Sequence, residues 1–289
     1  MNKTIKTSLL AFTTVFLWSS AFSLTKVATE YIDPNQLGAL RCTIASIILL
    51  IIGKVCHIGR PKKISHVVMF LISGGLGFSL YMITFNTGMV TLSSAMGSLI
   101  IATTPVLTAI GATFLYKEKI KPVGWAAIGC AFLGVAVLLL WGSEVSAGRG
   151  IWWICGAAFV FCCYNLMNRK LLSMGYNALE CVTWSMVCGA IWLLPFIPEA
   201  VVQAESASVG ALITVVYLGS MPSATAYMLW SKAFSLADKT SDVTNFQFLT
   251  PLISTLLGLV ILGEVPGIST LAGGMIIIAS IVVFGLKGK

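Results

Sequence analysis

Charge is scarce in this sequence. Only 10% of its 289 residues are Asp, Glu, Lys or Arg, against 57% hydrophobic, where a soluble domain carries roughly 25% charged residues. That excludes an ordinary soluble globule, and with it a nucleic-acid-binding reading of the net charge of +8. Acid is scarcer still. None of the ten Asp and Glu residues falls at the centre of an apolar run, and both histidines, His57 and His66, lie in one connection. A proton relay or an acidic cation site inside a membrane needs such groups at depth. A membrane-embedded enzyme needs a base beside its nucleophile, so no enzyme and no cofactor are expected. The eight cysteines show no paired spacing with histidines; no metal site is expected, and the cysteines within apolar runs read as small buried hydrophobes.

What is present is apolar sequence in lengths of about 20 residues, enough to cross ~30 Å of hydrocarbon as a helix. Ten such runs are expected to span, at 8–28, 36–56, 67–88, 94–115, 123–141, 151–167, 178–195, 209–230, 243–262 and 268–286. Backbone polar groups in lipid must be satisfied internally, so these runs read as helices; barrel strands would alternate and be half as long. The expected fold class is an all-α integral membrane protein. The longest connection, around Gly53 to His66, is too short to build a soluble core. The first run is too long for a cleavable signal and has no small-residue cleavage site, so it reads as a span.

The basic residues orient the chain. With both termini on one side, the loops of that side hold fifteen Lys and Arg, leaving Lys26 and Arg149 opposite. By the positive-inside rule both termini are expected in the cytoplasm, in a multi-pass protein of the cytoplasmic (inner) membrane. The lipid bilayer is its first partner.

One pattern occurs twice. Tyr81, Thr104-Pro105 and Glu118 recur as Tyr227, Thr250-Pro251 and Glu264, with 24 residues from Tyr to Pro and 13 from Pro to Glu in both copies. A single offset of 146 superimposes all three landmarks, as a diverged duplication would. The expected organisation is one membrane domain of two five-helix repeats, 1–145 and 146–289. Five is odd, so the second copy enters the membrane with opposite orientation. Inverted repeats are a common construction of secondary transporters, with the substrate site near the midplane between the halves.

Candidate site residues follow from polarity and aromaticity at depth. The first run carries Trp18, Ser19 and Phe22 at its middle, and the sixth carries Tyr164 and Asn168. Pro105 and Pro251 each remove a backbone donor and are expected to free the carbonyls of Ile101 and Gln247. Both proline helices are polar on the face through the proline, with Ser94, Ser98 and Thr108 in one and Thr244, Gln247 and Ser254 in the other. Tyr81 and Phe85 in the third run, and Tyr227 and Trp230 in the eighth, fall on one face of each helix. Packing explains an aromatic stripe as well as binding does. Together these residues are expected to line a mixed aromatic and hydrogen-bonding cavity, close to neutral. Arg41 is expected to snorkel or anchor, or to pair with Glu30 or Asp33. The fifth and tenth runs, rich in glycine, read as packing or dimer-forming elements with no substrate role, which leaves a homodimer open.

The run Trp18-Ser19-Ser20-Ala21-Phe22, Ala39-Leu40-Arg41, Thr104-Pro105 before Glu118, and Thr250-Pro251 before Leu262-Gly263-Glu264 resemble, in that order, the EamA family of the drug/metabolite transporter superfamily. The resemblance covers essentially the whole chain. It implies a ten-helix transporter of amino acids or related small metabolites, often an exporter, working by alternating access, with helices one, three, four, six, eight and nine around the cavity. A lipophilic-cation drug exporter is the alternative substrate reading, and a non-transporting membrane receptor is the alternative of another class. With no carboxylate at the midplane, coupling to the cargo's own gradient is expected ahead of sodium, and sodium ahead of protons.

Overall fold

The computed structural model describes residues 3–141, 145–236, 243 and 245–287, and the apolar runs form helices throughout. In chain order these are α1 (Lys3–Thr29), α2 (Pro34–Val55), α3 (Ile64–Met89), α4 (Ser94–Tyr116), α5 (Pro122–Trp141), α6 (Val145–Ser173), α7 (Ala178–Ser206), α8 (Val209–Ala233), α9 (Phe246–Leu262) and α10 (Ile268–Lys287). Eight are long and apolar enough to cross a membrane. The apolar stretches of α5 and α9, Pro122–Leu138 and Phe246–Leu262, are shorter. No strand occurs among the described residues. Large apolar side chains such as Ile51, Leu140 and Val260 are exposed, while Thr14, Ser19, Ser23 and Ser98 are fully buried. Such an arrangement suits lipid as the solvent, because polar side chains then gain by hydrogen-bonding between helices.

A 3-10 turn, Leu194–Phe196, interrupts α7, and four further helices are interrupted at places that recur at the 146-residue offset. In α3 the turn Gly75–Leu80 widens to a π-helix, and in α8 so does Met221–Thr225. Thr225 donates across the α8 turn to the Ser220 carbonyl at 2.9 Å, whereas Ser79, at the matching place in α3, donates to the Gly189 carbonyl of α7 at 2.8 Å. The wide turns end at Leu80, next to Tyr81, and at Thr225, two residues before Tyr227.

The proline helices are broken rather than kinked. α4 divides into Ser94–Ile101 and Thr104–Tyr116, and in α9 a 3-10 segment, Asn245–Leu249, precedes Thr250–Leu262. Pro105 and Pro251 therefore sit in the first turn of a new helical segment, where a missing N–H leaves nothing unsatisfied. The expectation of a free carbonyl at Ile101 is corrected here, because the Thr104 hydroxyl donates to it at 2.7 Å. Both segments end alike, with Lys117 (φ 55) and Gly263 (φ 67) in the left-handed region. The Glu118 N–H then reaches back to the Ala112 carbonyl at 3.4 Å and the Glu264 N–H to that of Gly258 at 3.1 Å, the wrap that satisfies terminal carbonyls.

These matching ends lie far apart. Glu264 accepts the Ser94 N–H at 2.7 Å, at the start of α4, whereas Glu118 follows the end of α4. A helix of that length spans roughly 35 Å. Glu118 and Glu264 thus stand at opposite ends of α4. Beside this framework α5 and α10 pack on one another: a Cβ added at either Gly134 or Gly273 would come within 2.9 Å of the other's carbonyl.

Candidate functional site

Between the interrupted helices lies a cavity of about 150 Å³, room for roughly ten waters. Its wall is paired across the chain. Tyr81 and Tyr227, Ile101 and Gln247, Ala102 and Phe248, and Thr104 and Thr250 all line it, and each pair is separated by the same 146 residues. The breaks in α4 and α9 and the wide turns in α3 and α8 therefore converge on one space.

Aromatic rings form its rim. Trp230, Trp18, Tyr227, Phe78, Tyr164, Phe161, Tyr81, Phe85 and Phe22 follow one another with centroids 5.0 to 5.7 Å apart. Each such contact contributes about 0.5–1.5 kcal/mol beyond the area it buries. The chain of rings runs through α1, α3, α6 and α8, and it packs each half onto the wide turn of the other. Trp18 donates its indole N–H to the carbonyl of Pro222 at 3.2 Å. Its counterpart at the offset, Tyr164, lies against Gly77 so closely that no Cβ would fit there.

Of the residues expected at the site, Trp18, Phe22, Tyr81, Phe85, Pro105, Tyr227 and Gln247 line the cavity. Tyr164 and Trp230 form a second layer, stacked on Phe161 and tilted on Trp18 respectively. Ser19 is buried and donates to the Thr250 carbonyl at 3.3 Å, tying α1 to α9. Ser98 donates within its own helix to Ala95 at 2.9 Å. Pro251 is buried, and Asn168 keeps its side-chain oxygen buried without a partner among the described residues. Thr244 lies outside the described residues.

The largest departure from expectation is Arg41. It does not snorkel, and its partners are not Glu30 or Asp33. The side chain is 3% exposed and lines the cavity. Nη1 donates to Thr25 Oγ1 at 3.1 Å and to Asn86 Oδ1 at 3.2 Å, and Nη2 to Ser223 Oγ at 3.4 Å. Asn86 is oriented for this by its own bond to the Pro34 carbonyl at 2.9 Å. Nε has no partner among the described residues. Among the described residues no Asp or Glu lines the cavity, so its described wall carries a cation where near neutrality was expected. Asp33 is instead engaged by Gln203 at 2.8 Å.

Phe161, Asn165, Phe248 and Ile281, all in the cavity wall, were not among the expected site residues. Phe161 precedes Tyr164 by three residues and Asn165 by four, one face of a helix, and that spacing was the available signal. Ile281 gives α10 a part in the wall that its glycine content does not announce. Among the described residues no cluster of three or more His, Cys, Asp or Glu could hold a metal.

Comparison with known proteins accounts for this architecture. The EamA-like transporter family matches at residues 5–140 and again at 148–286. The "Probable terminal-alkyne amino-acid exporter" of Streptantibioticus cattleyicolor is 30% identical, over 95% of this chain and 91% of that protein. The "Probable amino-acid metabolite efflux pump" of Escherichia coli K12 is 26% identical, over 98% of this chain and 97% of its own. A protein known by its crystal structure superposes with a TM-score of 0.63 over 97% of this chain and 96% of its own, at 20% identity, a likeness of fold alone. With family matches in both halves and relatives aligned along nearly the full length, this chain is a multi-pass membrane protein of the EamA-like transporter family.

Proposed function

We propose that this protein moves amino acids or related small metabolites outwards across the cytoplasmic membrane by alternating access. Ten transmembrane helices in two inverted repeats, 1–145 and 146–289, carry the cycle, with both termini in the cytoplasm. One observation supports this reading above the rest: four pairs of residues 146 apart stand in the cavity wall. A site shared evenly by two related halves is what rocking one half against the other requires. The names of the two relatives support the amino-acid class. Arg41 in the wall disfavours a lipophilic cation as cargo, because a like charge in a desolvated cavity repels it.

Coupling to the cargo's own gradient is favoured over sodium. A sodium site at the breaks needs spare oxygen ligands, and the Ile101 carbonyl already accepts a hydroxyl. Counterflow of labelled amino acids in proteoliposomes tests the function. Tyr81→Ala and Tyr227→Ala are expected to weaken cargo binding at least about tenfold, through lost stacking and hydrogen bonding together, while Trp125→Ala on the exposed face of α5 leaves it unchanged. Silence across amino acids and related metabolites would overturn the reading. A reporter fused after Lys287 that is active only externally would reverse the topology.

A further inference from the structure

Arg41 stands out because the repeat does not need it. The landmark tyrosines, prolines and glutamates occur in both halves, but the position 146 residues after Arg41 is Val187. Its partners are unmatched as well: the positions corresponding to Thr25 and Asn86 are Leu171 and Lys232. A cation placed in one half alone is not part of the shared architecture. Its place in the cavity wall calls for another account.

The guanidinium is also incompletely used. It has five N–H groups in a planar fork. Thr25 and Asn86 occupy both on Nη1, and Ser223 takes one on Nη2 at a long 3.4 Å. The Nε–H, buried without a partner among the described residues, and the second Nη2 N–H remain. Two parallel N–H bonds to one carboxylate are the arrangement that a guanidinium makes best.

We propose that Arg41 is the specificity-determining residue of the cavity: it receives the carboxylate of the cargo on the N–H groups its protein partners leave unused, and the cargo class is apolar carboxylates. The inference rests on the transporter reading and sharpens it. A carboxylate is required because it alone neutralises the buried charge. An ammonium group is dispensable because no acid lines the cavity among the described residues, and only aromatic faces and hydroxyls receive it. The aromatic rim accepts the apolar remainder of the molecule.

Binding to the purified full-length protein tests this through the shift of its thermal transition. The probes are leucine, phenylalanine and methionine, each with its amide and with the acid lacking the amino group. The wild-type protein is expected to bind at least one acid at least about tenfold more tightly than its amide, and to bind the deaminated acid as tightly as the amino acid. Arg41→Gln is expected to erase the preference for acid over amide, and Arg41→Lys to keep part of it. The wild-type series decides the matter even if neither variant folds. Equal binding of acid and amide by the wild type, or a preference that survives in folded Arg41→Gln, overturns the proposal. If counterflow shows transport of other metabolites while no acid in the series binds, the transporter reading stands and the role of Arg41 falls. If neither binding nor counterflow is seen, both fall.

Discussion

Glu118 and Glu264 occupy the same place in the two halves, yet they are held very differently. Glu264 is drawn into the protein. It pairs with Lys26, accepts the Ser94 N–H, and the two charged side chains are 17% and 23% exposed. Around it Ser94 shares a hydroxyl bond with Ser23 at 3.0 Å and accepts from Ser254 at 3.0 Å. Three helices, α1, α4 and α9, are thereby joined across the halves. Glu118 meets Arg169 at 2.6 Å in the open, with both side chains 49% exposed. Its surroundings are fewer: Arg169 lies 4.3 Å over the Tyr116 ring, and Tyr116 donates to the Leu166 carbonyl at 2.8 Å. The same residue stands at both positions, and burial decides how much each contributes. An exposed pair is worth about 0–1 kcal/mol. A shielded pair with a backbone donor attached is held more tightly and costs more to break. On the alternating-access reading, the Glu264 end is the one this conformation holds closed.

The strongest way to break the comparison is to neutralise each glutamate in turn. Glu264→Gln leaves Lys26 without its counter-charge in a shielded place, and is expected to lower stability by about 2 kcal/mol and to change the transport rate severalfold. Glu118→Gln is expected to cost less than about 1 kcal/mol. Thermal unfolding and counterflow of the two purified variants read both quantities. Equal losses would mean that exposure is not what separates the ends.

Exchanging the charges sharpens the same point. Lys26→Glu combined with Glu264→Lys restores the ion pair but removes the acceptor for the Ser94 N–H, so recovery is expected to be partial, with a coupling of about 1 kcal/mol in a double-mutant cycle. The exchange Glu118→Arg with Arg169→Glu is expected to be nearly neutral, because only the solvated pair is at stake.

These contacts also mark how far the sequence could be read. The spacing of Tyr, Pro and Glu pointed to α4 and α9 as the disturbed helices, since such a pattern is local, but it carried no sign of the wide turns in α3 and α8. That Lys26 and Glu264 share a side followed from counting charges; that they touch did not, because the partners are 238 residues apart. Arg41 was misread for a related reason. Distance from the helix end gave its depth but not its direction. Its own helix held a clue: Gly38 and Ala45, three residues before it and four after it, are small, as a helix–helix contact requires, whereas Ile47, Leu50 and Ile51 are exposed. The proline breaks were expected as kinks because the rule for a mid-helix proline says nothing of a new helix starting there.

The smallest expected effect lies in the two caps. Both glutamates are positioned by a residue in the left-handed region, Lys117 at φ 55 and Gly263 at φ 67, but only one copy has the residue suited to it. Glycine reaches that conformation without steric penalty, whereas an L side chain is strained there. A Cβ at Gly263 would meet nothing within 4 Å, so the cost of Gly263→Ala is purely conformational and is expected to be about 1 kcal/mol. Lys117→Gly relieves the strain while freeing the unfolded chain and giving up a cation near a helix C-terminus. The balance is expected to be a gain of about 0.5 kcal/mol. Opposite signs at matched positions, read as shifts of the thermal midpoint, would show that the two caps are one device filled by two residues; a loss in both would show that the Lys117 side chain makes a contact worth more than its strain.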